Sequence, residues 1–268
     1  MRGSTIVGRQ VRSYAIVGNG PKPSSRGANW VRVVVMSDVH GFSLALARVL
    51  DDVAAIGPLD GLVVAGDLVE LGPDPRGSLD LLVASGATLL VGNTDLDVVS
   101  AARLGNGAAV DHHAAAELGI SGVELLAELP FSCRFTPPGA VAKNDDLLVV
   151  HANPHDVRRR LNPELSDRAV REVLGDAEFS AIAFGHHHVA YQRRLDGRLL
   201  VDVSAVGNPK DGDLRCRYGV FTWDASAPGW TAEHRYVDYP IEATIRQIEA
   251  SSLPDRPGTI HRLLRASY

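Results

Sequence analysis

The chain of 268 residues has only two cysteines, Cys133 and Cys216. Two thiols cannot build a disulfide framework, so a small stapled extracellular scaffold is excluded and a reducing compartment, the cytoplasm, is expected. No apolar run reaches the ~20 residues that a bilayer requires, so no membrane partner is expected. There is no excess of positive charge, with 27 basic against 32 acidic side chains and a net charge of −5. A broad basic grip on a nucleic-acid duplex is therefore not expected. Nor is there compositional bias: 45% hydrophobic and 22% charged residues describe an ordinary globular chain, long enough for one large core.

Acid is missing locally. Residues 1–37 contain none, but hold Arg2, Arg9, Arg12, Lys22, Arg26 and Arg32. Without those six bases, the rest carries 21 bases against 32 acids. Residues 18–29 (GNGPKPSSRGAN) have linker chemistry. Residues 1–30 are expected to form a disordered basic leader, residues 31–237 one domain, and residues 238–268 a helical tail. The apolar stretch at 14–17 is too short for a secretory signal.

What is present is an alternation of strand and helix. Residues 31–36 (VRVVVM) read as a buried strand, because β-branched residues run together. Ser43 can cap a following helix whose Leu46, Val49, Leu50 and Val53 share one face. Strands follow at 62–65, 88–91, 147–150 and 181–184, with a short helix around 79–83. Residues 96–129 are rich in Ala, Leu and Gly and predict a helical insertion, with Ser121 and Glu124 as a capping box for its last segment. Asn162-Pro163 predicts a helix start and Gly175 its end. Asp196-Gly197 predicts a hairpin turn between 191–195 and 198–204. Strands at 218–223 and 230–237 complete a layered α/β domain.

The polar residues cluster where strands end, which is where such domains bind ligands. The strand at 31–36 runs into Asp38-Val39-His40, that at 62–65 into Gly66-Asp67, and that at 88–91 into Gly92-Asn93-Thr94-Asp95. The strand at 147–150 runs into His151, and that at 181–184 into Gly185-His186-His187-His188. Any one of these is commonplace. Together they offer carboxylate, imidazole and amide oxygen, a donor mix suited to first-row transition metals. The candidate ligands are too many for one ion, and two ions sharing one bridging carboxylate would account for seven of them.

The series Asp38-x-His40, Gly66-Asp67, Gly92-Asn93, His151 and Gly185-His186-x-His188 resembles the calcineurin-like metallophosphoesterase superfamily in block order. The stretches GDLVELGPDP (66–75) and VSAVGNPKDGDLRCRY (203–218) are similar to its small bacterial and archaeal phosphodiesterase-type branch. The resemblance spans about residues 32–224. It implies a four-layer α/β/β/α sandwich of two mixed sheets flanked by helices. It implies one metal on Asp38, His40, Asp67 and His188, and a second on Asp67, Asn93, His151 and His186, with Asp67 bridging. His187 would then point elsewhere. The cofactors would be two transition-metal ions (Mn, Fe, Zn, Ni or Co, with Mn favoured). The implied function is a dinuclear metal-dependent phosphohydrolase, most of all a phosphodiesterase, in which a metal-bridging hydroxide attacks phosphorus in line. A small phosphoester or nucleotide is the expected substrate. The alternatives are a dinucleoside polyphosphate hydrolase or a protein phosphatase and, in another class, a non-catalytic scaffold of the same fold.

One position departs from the pattern. The family block is Gly-Asn-His followed by an acid, whereas this chain has Gly92-Asn93-Thr94-Asp95. A hydroxyl is a poor proton donor, and a positioned acid is worth about 10²–10⁴ in rate. The loss matters most for an alkoxide leaving group, so Thr94 disfavours alkyl phosphomonoesters. Members of the branch with a non-His residue here are associated with phosphodiesterase activity. Asp95 is expected to orient the Asn93 loop or a metal ligand. His112 or His113, in the insertion, is expected to approach the phosphate in compensation. Arg158 and Lys210 are candidate substrate contacts. His155, His234, His261 and the two cysteines are given no catalytic role.

Overall fold

The computed structural model describes residues 11–15, 30–140, 143–227 and 229–267. Two mixed sheets face one another. The first has the order β11 (Trp230–Val237), β10 (Cys216–Asp224), β2 (Trp30–Met36), β3 (Gly61–Val64) and β4 (Thr88–Leu89). The second has the order β1 (Val11–Ala15), β5 (Ser132–Thr136), β6 (Leu147–Val150), β7 (Ala181–Phe184), β9 (Arg198–Asp202) and β8 (Tyr191–Leu195).

The central strands lack a polar face because both of their faces are covered. On β2, Val31, Val33 and Val35 point between the sheets, where they join Val63, Leu90, Val149, Ala183, Val201 and Phe221. Val34 and Met36 point outward to a second core, built with α1 (Ser43–Ile56), α2 (Pro75–Ala84), α3 (Asn93–Leu104) and α4 (Ala109–Ala127). On the far side, Leu148, Val150, Ile182 and Phe184 pack against Val170, Val173 and Leu174 of α5 (Asp167–Leu174). Each such side chain moved out of water stabilises the fold by about 1.5–3 kcal/mol. The result is the four-layer sandwich expected. α6 (Ile241–Ala250) and α7 (Arg256–Arg265) form the tail, and Gln247 of α6 donates to Ser43 Oγ of α1 (3.1 Å).

Several local expectations change. Val11–Ala15, inside the stretch expected to be a disordered leader, pairs in parallel with β5; the rest of 1–29 lies outside the described residues. β5 itself was not foreseen, being a short run between Pro130 and Pro137. The helix expected from Asn162-Pro163 starts at Asp167, because Ser166 Oγ accepts from Ala169 N while 162–165 close a turn. The insertion helices begin at Asn93, and α4 breaks at Gly119 (φ 63°, ψ −175°), before the expected cap at Ser121. Cys133 and Cys216 are buried, and burial pushes both thiols well above their usual range. No helix among the described residues is long and apolar enough to cross a membrane.

Candidate metal centre

β2 and β3 run parallel in one sheet, and β6 and β7 run parallel in the other. Their carboxyl ends therefore emerge at one end of the sandwich. The loops there turn sharply. Asp38 (φ 54°), His40 (φ 52°), Asp67 (φ 54°), His186 (φ 68°) and His188 (φ 61°) all have left-handed backbone, which costs a non-glycine residue of order 1–3 kcal/mol each. Two glycines permit the close approach. A Cβ on Gly185 would strike the Asp38 carboxylate, and one on Gly92 would strike that of Asp67.

Two clusters result. In the first, His188 Nε2 lies 3.0 Å from Asp38 Oδ1 and 3.1 Å from His40 Nε2. In the second, His151 Nε2 lies 3.1 Å from Asn93 Oδ1, 3.2 Å from His186 Nδ1 and 3.4 Å from Asp67 Oδ1. Asp67 stands between them, its Oδ2 3.8 Å from His40 Nε2. Within Asp38–His40–His188, and within Asp67–His151–His186, one ligand atom per residue lies within 4.8 Å of the others.

The backbone reveals what these atoms are for. His188 Nδ1 donates to Asn208 O (2.7 Å), His151 Nδ1 to Ala65 O (2.8 Å), His186 Nε2 to Arg158 O (2.9 Å) and His40 Nδ1 to Glu70 O (3.1 Å). A carbonyl oxygen can only accept, so each of these nitrogens bears the proton. In a neutral imidazole the other nitrogen then presents a lone pair. Four lone pairs thus point into the clusters beside the carboxylate oxygens. Asp38 Oδ1 is buried there with no hydrogen-bond donor. Acceptors facing acceptors at such distances favour a cation between them, a proton or a metal, and imidazole with carboxylate and amide oxygen suits divalent transition metals. The residues fit two ions.

Electrostatics favours the neutral form at two of the four imidazoles. Burial pushes the His186 imidazole down to about 4, with His151 adding to it, and burial also lowers His188. Burial works against the Asp38 carboxylate too, but His188 and His40 outweigh it and hold Asp38 well below its usual range. His40 goes the other way: Asp38 and Asp67 overcome its burial and raise it. The same two carboxylates would attract a metal cation to its Nε2.

Asp95 holds the loops around Asp67. Its carboxylate accepts from Asp67 N (2.9 Å), Leu68 N (2.9 Å) and Gly92 N (2.8 Å). Burial and the Asp67 charge still raise it to about 6. Thr94 N donates to Asp67 Oδ1 (2.9 Å), while Thr94 Oγ1 is buried without a partner. Lys210 N donates to His188 O (3.0 Å). Burial lowers the Lys210 ammonium, and Asp38 and Asp67 oppose that shift.

The other candidates are placed elsewhere. Arg158 forms a two-point pair with Asp97 of α3 (3.2 and 2.6 Å), so its guanidinium is engaged. His113 Nδ1 lies 3.5 Å from Ser252 Oγ on the tail, and His112 is exposed. His155 Nε2 donates to Leu174 O, and His234 Nε2 donates to Asp202 O. His187 sits among Arg160, His188, Glu164 and Lys210, and burial lowers its imidazole. Sequence reasoning missed Glu70, Asn208 and the carbonyl roles of Ala65 and Arg158. A main-chain oxygen leaves no side-chain signature.

A metal-competent cluster pair at the strand ends of a four-layer sandwich defines a phosphoesterase scaffold. The chain belongs to the calcineurin-like phosphoesterase family, whose model matches residues 31–190, more than half of its length. The chain is also similar to the crystal structure of a metallophosphoesterase from Sphaerobacter thermophilus, at 25% identity and TM-score 0.70, over 88% of this chain and all of that one. A hypothetical protein from Pyrococcus horikoshii shares the fold at 16% identity and TM-score 0.73, over 88% and 99% of the two chains. A putative diadenosine tetraphosphatase is similar at 18% identity and TM-score 0.51, over 84% and 98%. No curated protein matches.

Proposed function

We propose that the protein is a dinuclear metal-dependent phosphohydrolase that prefers phosphodiesters to alkyl phosphomonoesters. Asp38, His40, Asp67 and His188 would hold one ion, and Asp67, Asn93, His151 and His186 the other. Two such ions supply Lewis acidity to a water nucleophile and to the phosphoryl oxygens. The chain's own groups do the rest. The four peptide carbonyls fix the imidazole tautomers. Asp95 fixes the backbone of Asp67, so the shared carboxylate keeps its place between the clusters. Lys210, tied through its amide to His188, adds positive charge for a substrate anion on the Asp38 side.

The observation that carries the preference is Thr94. It occupies the position next to Asn93 with an unpartnered hydroxyl. His113 Nδ1 faces Ser252 Oγ, His112 is exposed and His155 Nε2 donates to Leu174 O, which supports reading Thr94 as an uncompensated loss. Without an acid, a basic alkoxide leaves slowly, whereas a diester or anhydride with a stable leaving anion is less affected.

Hydrolysis should be followed with Mn²⁺ on bis(p-nitrophenyl) phosphate, diadenosine tetraphosphate and an alkyl phosphomonoester, with Asp67→Asn as control. The monoester is expected last, and Asp67→Asn is expected to be inactive. A monoester preference overturns the diesterase reading. No Mn²⁺-dependent hydrolysis of any of the three overturns the enzyme reading in favour of a scaffold, and a preference for the tetraphosphate narrows the substrate to nucleotide anhydrides.

A further inference from the structure

The segment 203–215 between β9 and β10 has no regular structure, yet it grips the first cluster alone. Val206 N donates to Ser37 O (3.0 Å), and Gly207 N to Asp38 O (2.9 Å). Asn208 O receives the His188 Nδ1 proton, while Ser204 Oγ and Lys210 N both donate to His188 O (3.0 Å each). Two of the three ligands thus take their backbone position, and one its tautomer, from this segment.

A buried cation braces the segment across its length. Arg217, the second residue of β10, is only 2% exposed. Its amide donates to Ala205 O (3.0 Å), at the base of the segment. Its guanidinium donates to Asp211 and lies 3.2 Å from Asp213, both near the far end. The Arg217 guanidinium also lies 4.9 Å from the Tyr236 ring centre. A buried arginine is tolerated only when paired, and deleting one member leaves uncompensated charge. Arg217 therefore ties together the two ends of a segment whose other anchors outside the first cluster are Val203 N on Phe184 O of β7 (2.8 Å) and Gly212 N on Ala266 O at the end of α7 (2.9 Å).

We infer that Arg217 is a positioning residue for the first metal site. Through Asp211 and Asp213 it keeps Asn208 and Lys210 on His188, and so keeps the His188 Nε2 lone pair aimed at the ion. This rests on the reading of the two clusters as a dinuclear centre. The second cluster hangs on Asp95, Ala65 and Arg158 instead, and meets the first where His186 N donates to Asp38 Oδ2 (2.8 Å).

The test uses the full chain, wild type and Arg217→Met, titrated with Mn²⁺ and followed by calorimetry. The wild type should bind two ions. The variant should lose about 10–100-fold in affinity for one of them and keep the other, the usual effect of removing a ligand's supporting partner. His188→Ala should weaken the same step, and adding Arg217→Met to it should change little more. A general loss of structure would weaken both steps; equal weakening, or none, overturns the inference. Hydrogen exchange of the metal-free chain decides independently of metal. The amides of Val206, Gly207 and Lys210 should exchange at least tenfold faster in the variant, with Leu68 and Gly92 unchanged, and unchanged exchange at all five overturns the inference. Should Arg217→Met fail to fold, the double variant Asp211→Asn, Asp213→Asn cuts the same ties. If the wild type binds fewer than two ions, the dinuclear reading fails, and the exchange result still decides on Arg217.

Discussion

The two halves of the centre are built differently. Asp38, His40 and His188 are all buried, and their loops are braced by the segment that Arg217 ties down. In the other half His151 is buried, but His186 and Asn93 are half-exposed, and Thr94 lies beside them. The first half is an anchor, held from both sheets. The second is the more open to solvent. The lesson is that a shared carboxylate can join a rigid site to an accessible one without making them alike.

Asp67→Asn attacks the junction and should have the largest effect. Hydrolysis should fall about 10³-fold or more, and both Mn²⁺-binding steps should weaken. Were only one step to change, the halves would be independent and the junction would not exist. The next contrast compares His188→Ala with His186→Ala by urea denaturation without metal. The first strands Asn208 O and leaves a cavity in a buried site, so about 1–3 kcal/mol of stability should go. The second removes a half-exposed ring and should cost about 0.5 kcal/mol or less. Equal costs would erase the distinction between anchor and open side.

Thr94→His would sharpen the open side by restoring an imidazole. Alkyl monoester turnover should rise at least tenfold, within the ~10²–10⁴ that a positioned acid contributes, with diester turnover changed little. A last contrast lies behind the anchor. Burial, and then Asp111, raise the Glu70 carboxyl to about 8 from its ordinary 4.5. The metal-free fold keeps a proton there that the unfolded chain releases near 4.5. Stability should therefore decline as pH rises from about 4.5 through 8. Glu70→Gln should flatten that slope in thermal melts at pH 5–8, and an unchanged slope would mean that Glu70 ionises normally.

The sandwich was legible because its strands are short and apolar on both faces, as 147–150 and 181–184 show. Turn chemistry was legible where one residue decides it, as at Asp196-Gly197 and Gly175. The seven converging side chains were legible through their place at strand ends. β5 was not, since five residues between prolines carry too little periodicity. The start of α5 was misplaced because Ser166 caps better than Asn162 in this context. His112 or His113 was expected at the site, yet position in a helix does not tell which way the helix faces; His113 meets Ser252 and His112 is exposed. Arg217 and the carbonyls of Ala65, Glu70, Arg158 and Asn208 were invisible, since their roles depend on contacts between distant segments.

Those four carbonyls carry a consequence for anyone moving this centre to another scaffold. Transplanting the seven donors would copy their chemistry but not the main-chain oxygens that choose which ring nitrogen faces inward. Each imidazole could then turn its hydrogen toward the intended ion. Conversely, what the imidazoles take from Ala65, Arg158 and Asn208 is the peptide oxygen behind each, not the side chain.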